Sequence, residues 1–153
     1  MEIGYSQYQI TLYELNLPDQ NLPDRVSICN LTSKSEFNRI LNLFLKIFPD
    51  EIDSEKANDL QNIPISESEG IFIAKLDQLI IGFLITGVIN QVGYISYIGV
   101  LDQYRSSGVA TAMLKQFKSY LDEKKVTKVR CKVKKDNFKT LGYIEFLGFK
   151  KVE

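Results

Sequence analysis

The run Arg105-Ser106-Ser107-Gly108-Val109-Ala110-Thr111 has the residue types that an anion-binding turn requires. A strand-like apolar stretch ends at Val100 and a helix-like pattern begins at Gly108, so the backbone N–H groups of a first helical turn converge near one point. Unpaired first-turn donors and the positive end of the helix dipole favour a phosphate or pyrophosphate there. Gly108 and Ala110 leave no bulk in its way, Arg105 adds charge at the rim, and Ser106, Ser107 and Thr111 offer hydroxyl donors. An Arg-x-x-Gly-x-Ala string alone also fits a purely structural role, with Gly108 opening a helix and Ala110 packing closely. A P-loop would need a Gly-Lys-Ser/Thr triplet that is missing, and a dinucleotide fingerprint needs a third glycine and a parallel strand after the helix; neither motif fits.

Other chemistry is narrowed by what the chain lacks. It has no histidine, so a Ser-His or Cys-His pair and a histidine-ligated metal site are excluded. Cys29 and Cys131 match neither a zinc spacing nor a disulfide framework, and each sits within an apolar alternation as a buried thiol would. Lys plus Arg and Asp plus Glu stand at 19 each, so no global basic excess favours nucleic acid or an anionic membrane. The local lysines Lys132, Lys134 and Lys135, near Lys124, Lys125 and Lys128, read as a solvated face. No stretch reaches bilayer-spanning length and the N-terminus lacks a leader pattern, which leads to the expectation of a cytoplasmic protein without membrane partners.

The elements that would position the turn are legible in outline. Residues 8–15 and 25–31 alternate as short strands, separated by Pro18, Asp19, Pro23 and Asp24. Ser33 and Glu36 have the spacing of a capping box, after which Phe37, Ile40, Leu41, Phe44 and Phe48 recur at helical spacing until Pro49. A weaker helix follows over 53–62. Residues 70–76, 79–89 and 94–100 read as consecutive antiparallel strands, the middle one apolar on both faces and so covered by helices on both. A helix from Gly108, a strand over 127–133, a helix over 137–147 and a short strand after Gly148-Phe149 complete the order. The expectation is one α/β domain of the α+β type, over 25–153, with a mixed and mostly antiparallel sheet flanked by helices. Residues 1–24 form an N-terminal extension of one strand plus loop.

The segment from Ile98, Gly99 and Val100 through Leu101, Asp102, Gln103 and Tyr104 into the Arg105–Thr111 turn resembles the strand-turn-helix signature of the GNAT acyltransferase superfamily. Asn137, eleven residues before Gly148-Phe149, is similar to that family's Asn-helix-Gly-Phe ending. The likeness covers 25–153 in element order and 94–149 in motif detail. It implies a GNAT-like acyl-CoA N-acyltransferase fold, acetyl-CoA as acyl donor, no metal, and an amine acceptor of unknown identity. It further implies that Arg105, Ser106, Ser107, Gly108, Val109, Ala110 and Thr111 hold the CoA pyrophosphate. Ile98, Gly99 and Val100 would pair with the pantetheine arm as an added strand would. Asn137 would steady the pantetheine amides, a role compatible with its being a helix N-cap. The implied reaction is direct attack of a primary amine on the thioester, through a tetrahedral intermediate, with no covalent enzyme intermediate.

Three departures from the family pattern bear on that expectation. Relatives place a tyrosine four residues before the Gly-Phe, as donor to the leaving sulfur; here that position is Ile144 and Tyr143 stands one residue early. One helical step turns a side chain by about 100°, so Tyr143 as the catalytic acid requires a shifted or kinked helix. The general base is open among Tyr94, Ser96 and Tyr97 on the strand and Glu67, Glu69 and Asp102 in loops. The C-terminal strand is apparently truncated at Glu153, and the missing strand is expected from the N-terminal extension or from a homodimer partner. The acceptor pocket is expected around residues 43–65, where Asp50, Glu51, Asp53, Glu55 and Asp59 either attract a cationic amine or are solvated helix ends. Two alternatives stand beside the enzyme reading: a non-catalytic acyl-CoA-binding or sensing domain, and an interaction module in which Gly108 is purely structural.

Overall fold

The structure, a computed structural model, describes residues 4–19, 21–47, 69–105 and 107–152. The expected helix over 53–62, the acidic residues around it, Glu67 and Ser106 lie outside the described residues. Within them, β1 (Tyr5–Thr11) and β2 (Val26–Asn30) precede α1 (Lys34–Ile47). The meander β3 (Ile71–Leu76), β4 (Leu79–Ile89) and β5 (Val92–Val100) follows, then α2 (Val109–Glu123), β6 (Lys128–Lys134), α3 (Phe138–Leu147) and β7 (Lys150–Val152). The described strands form one sheet in the order β2-β3-β4-β5-β6-β1-β7. All neighbours are antiparallel except β5 and β6, which run parallel across the α2 crossover. This is the mixed, mostly antiparallel sheet expected.

β1 starts three residues earlier than the alternation from Tyr8 implies and ends at Thr11. The inward position Ser6 is polar yet buried, opposite Val133, so apolar patterning alone begins the strand too late. At its other end the backbone turns into a short 3-10 segment, Leu12–Glu14, with Leu12 N–H donating to Thr127 O at 2.7 Å. Leu12 and Leu15 bury themselves there instead of extending the strand. β1 lies between β6 and β7, so the N-terminal strand is an interior member of the sheet, as one of the two expected arrangements had it.

Two apolar layers cover the sheet. On one side Val109, Met113, Leu114, Phe117 and Leu121 of α2 and Ile144 and Leu147 of α3 join Phe72, Ile81, Leu84, Val129 and Cys131. On the other, Phe37, Ile40, Leu43 and Phe44 of α1 meet Ile71, Ile73, Phe83 and Ile85. β4 contributes to both layers, which is why its sequence is apolar without alternation.

The N-terminus of α1 is held to β3 by a partly buried polar knot. Ser33 Oγ accepts from Glu36 N–H at 3.2 Å, while Glu36 Oε1 accepts from Thr32 N–H at 2.9 Å and Thr32 Oγ1 at 2.7 Å. The capping box read from Ser33 and Glu36 therefore exists, with its return bond one residue further out. Glu36 Oε2 pairs with Lys75 of β3. The hydrogen bonds from Lys75 and then Thr32 hold the Glu36 carboxyl at about 2, well below the ordinary carboxylate range.

A depressed folded-state pKa stabilises the fold above the unfolded carboxylate's value near ~4.3, and that stability is lost as pH falls through about 2. Glu36→Gln is expected to cost about 3 kcal/mol at pH 7. The gap from wild type should close between about pH 4 and pH 2, as read by urea denaturation at each pH.

Candidate functional site

β5 is zipped to β4 along its length, from Ile89↔Val92 to Gly82↔Val100, with Ser96 as an extra residue between the pairs Thr86↔Ile95 and Ile85↔Tyr97. Its parallel ladder with β6 runs only from Val92↔Lys128 to Ile95↔Cys131, although β5 continues to Val100 and β6 to Lys134. An extra residue bends its strand and increases the local twist, and here it coincides with the point where β5 and β6 part. A cleft of about 580 Å³ opens between them. Its walls are Tyr94, Ser96, Tyr97 and Ile98 of β5 and Lys132, Val133 and Lys134 of β6, with Asn137, Thr140 and Ile144 of α3 and Tyr5 and Gln7 of β1. Tyr97 is braced from α1 by an edge-on contact with Phe44, ring centroids 4.7 Å apart.

The Arg105–Thr111 turn stands at the far end of β5. A single 3-10 turn, Asp102–Tyr104, carries the chain from Val100 to Arg105, whose Nε donates to Val100 O at 3.3 Å and whose guanidinium meets Asp102 at 3.1 Å. Ser107 Oγ donates to Tyr104 O. Gly108 has φ 88°, a left-handed conformation that side chains resist, and it starts α2 with no described side chain capping the helix. The first-turn N–H groups of Val109, Ala110 and Thr111 have no partner within the helix. Val109 and Thr111 are buried and Ala110 is half-buried. Along β5, Ile98 lines the cleft, Val100 is in the core, and Gly99 lies so close to Phe83 that a Cβ would come within 2.9 Å of its ring. Of the residues expected to meet a CoA-like ligand, Ile98 and Asn137 line the cleft, Gly99 and Val100 follow on β5, and the turn comes next along the chain; Ser106 is not among the described residues.

Asn137 caps α3, its Oδ1 accepting from Thr140 N–H at 3.2 Å, and it also lines the cleft. With Oδ1 engaged, only Nδ2 is left to serve a ligand. Ile144 is on the cleft wall and Tyr143 is not. α3 is a continuous α-helix through Gly142, and Tyr143 packs on its inner side against the core. The Tyr143 hydroxyl is buried without a hydrogen bond of normal geometry. Burial pushes its pKa up, tempered by the neighbouring Thr111 hydroxyl of α2.

Of the residues considered for proton removal, Tyr94, Ser96 and Tyr97 line the cleft. Glu69 pairs with Lys124 at 3.6 Å and Asp102 with Arg105, both away from it. Cys131 also lines the cleft, but burial pushes its thiol up to about 12, which removes it as a nucleophile at neutral pH. Sequence reasoning missed Thr140, Tyr5 and Gln7. Thr140 carries a signal, one helical turn from both Asn137 and Ile144, whereas β1 reaches the cleft only through its pairing with β6. Among the described residues no group of three or more Cys, Asp or Glu could hold a metal, and no helix is long and apolar enough to cross a membrane.

A family model described as "Acetyltransferase (GNAT) family" matches residues 37–149. No curated protein matches the sequence significantly. Among solved structures, a GCN5-related N-acetyltransferase from Sphaerobacter thermophilus superposes with a TM-score of 0.75 at 16% identity; 97% of this chain is covered, and the chain spans 48% of that protein's length. The aminoglycoside 6'-N-acetyltransferase AAC(6')-Ih from Acinetobacter baumannii gives a TM-score of 0.69 at 23% identity, with 84% of this chain and 92% of that one covered. AAC(6')-Iy, solved with the bisubstrate analogue CoA-S-monomethyl-acetylneamine, gives 0.67 at 21% identity, covering 84% and 92%. These likenesses concern the fold, a mixed sheet with helices on both faces, as found here.

The capping role of Asn137 is separable from any ligand contact. Asn137→Ala is expected to lower stability by about 1 kcal/mol, and Asn137→Asp to keep most of it, as read by thermal unfolding without ligand.

Proposed function

We propose, from the premise that this chain belongs to the acetyltransferase (GNAT) family, that it transfers an acetyl group from acetyl-CoA to a primary amine by direct attack on the thioester. The observation that carries this reading is the coincidence of two features on one strand. β5 leaves β6 at Ile95↔Cys131 to form a cleft, and the same strand leads into a helix N-terminus that no described side chain caps, with Arg105 at its rim. Acetyl-CoA would supply an activated acyl carbon and a tolerable leaving group, a thiolate whose free-thiol pKa is near ~8.5.

The residues present fit such a donor. Arg105, Ser107 and the N–H groups of Gly108, Val109, Ala110 and Thr111 bind and orient the pyrophosphate; Ser106 belongs to the same turn. The backbone of Ile98, Gly99 and Val100 aligns the pantetheine arm as an added strand, and Asn137 Nδ2 donates to one of its amides. Tyr94, Ser96 and Tyr97 order the water that takes the proton from an alkyl ammonium, whose pKa near ~10.4 keeps it mostly charged at neutral pH.

For the departing sulfur we assign the proton to water in the cleft. Tyr143, expected as the catalytic acid, is given a positioning role: its hydroxyl is buried in the layer between α2 and α3, next to Thr111 of the phosphate turn. The reading of a binding or sensing domain without turnover draws on the same apolar Ile144 at the cleft wall. Loss of a general acid typically costs about 10²–10⁴-fold and so slows turnover without abolishing it.

Calorimetric titration of acetyl-CoA is expected to show binding to wild type and none to Gly108→Glu or to Ala110→Glu. The second variant avoids the left-handed backbone of Gly108, and thermal unfolding of both variants separates charge repulsion from misfolding. Absence of wild-type binding by folded protein would remove the basis of the acyltransferase reading. With an accepted amine in hand, Tyr143→Phe is expected to leave kcat within about threefold and to raise KM for acetyl-CoA. A kcat loss of about 10²-fold or more at unchanged KM would restore Tyr143 as the acid.

A further inference from the structure

β1 and β6 divide their side chains cleanly between two faces. Ser6, Tyr8 and Ile10 with Val129, Cys131 and Val133 face the α2 and α3 layer and are buried. On the opposite face the register sets Tyr5 against Lys134, Gln7 against Lys132 and Gln9 against Arg130, with Lys128 next along β6. Lys150 of β7 lies opposite Gln9 and shares that face. Side chains two apart on one strand stand about 6.5–7 Å from one another, so β6 carries a row of like charges at the closest same-face spacing that a single strand allows. β1, β5, β6 and β7 themselves contain no Asp or Glu. Arg130 is fixed by Gln9, its Nε donating to Oε1 at 2.7 Å, a neutral partner that leaves the charge in place. A solvated lysine face needs no such concentration in one row, and this one runs into the cleft, where Lys132 and Lys134 line the wall together with Tyr5 and Gln7.

We propose that the amine acceptor carries an anionic group, a carboxylate or phosphate, seated against Lys132 and Lys134, and that polycationic amines are poor acceptors. This rests on the acyltransferase reading above, and it assigns the acceptor side of that same cleft. Two lysine ammonium groups with the Gln7 amide and Tyr5 hydroxyl form a donor set matched to carboxylate or phosphate oxygens. The same positive wall disfavours the ammonium form of the acceptor relative to the free amine. It thereby eases proton removal in a cleft whose described residues include no carboxylate. The acceptor is taken to be a small molecule because the cleft, at about 580 Å³, is of ligand size.

The test uses the full chain saturated with CoA, so that the phosphate turn is occupied. Inorganic phosphate and glutarate are titrated separately while backbone amides are followed by NMR; the two probes distinguish phosphate from carboxylate. A saturable shift at Gln7, Lys132 and Lys134, abolished in Lys132→Ala, supports the proposal. No saturable shift on this face overturns it.

In turnover with acetyl-CoA, matched pairs are compared: glucosamine 6-phosphate with glucosamine, and tyrosine with tyramine, beside spermidine. The anionic member of at least one pair is expected to have kcat/KM about tenfold or more above its partner, the scale of one charge-assisted hydrogen bond. Lys132→Glu should invert that preference. Preference for spermidine or for the uncharged partners, or displacement of phosphate by an RNA oligomer with steep salt dependence, overturns the proposal. If acetyl-CoA fails to bind, the acyltransferase reading falls, while the phosphate and glutarate titrations without CoA still judge the face by itself.

Discussion

The site depends on one strand being unable to satisfy two neighbours at once. β5 is committed to β4 through Val100, and the extra residue at Ser96 turns it away from β6 after Ile95. A strand edge presents N–H and C=O groups that must find partners, and within a cleft those partners are water or an extended ligand chain. The separation therefore creates both the volume and the backbone edge that the proposed chemistry uses. Phe44 and Tyr97 brace the bend from the α1 side, so the layer that stabilises the sheet also fixes the cleft wall.

Once β5 and β6 part, β6 needs support from its other edge, and β1 supplies it along seven paired positions. The 3-10 turn after β1 lies under the end of α3, where Asn16 N–H donates to Leu147 O at 2.8 Å and its Nδ2 to Phe146 O at 3.2 Å. The N-terminal strand thus holds β6 and α3 together, the two elements that carry Lys132, Asn137 and Ile144. It also brings Tyr5 and Gln7 to the cleft. A segment that reads as an extension of the domain is, in the fold, a wall of the site.

The helix α3 shows how a single residue step redistributes roles. Ile144 takes the cleft-facing position and leaves an apolar wall there, while Tyr143 turns its hydroxyl into the layer shared with α2, beside Thr111. Polar chemistry at the cleft is left to β5, β6, β1 and the first turn of α3. This places cations, amides and hydroxyls around the opening, with no described carboxylate among them.

The sequence alone determined the elements and the turn. Gly108 between a strand end and a helical pattern, the apolar run of β4, the Ser33–Glu36 spacing and Asn137 ahead of Gly148-Phe149 are local signals set by backbone conformation, periodicity and capping. It did not determine where β1 goes, because strand pairing between residues more than a hundred positions apart is chosen by packing and ladder geometry, not by local pattern. The buried Ser6, the reach of Tyr5 and Gln7 into the cleft, and the alignment of Lys128, Arg130, Lys132 and Lys134 with Lys150 all follow from that pairing. The alternation along β6 was visible, but which of its two faces met the core, and which met the cleft, was decided only when β1, β5 and the α2–α3 layer assembled around it.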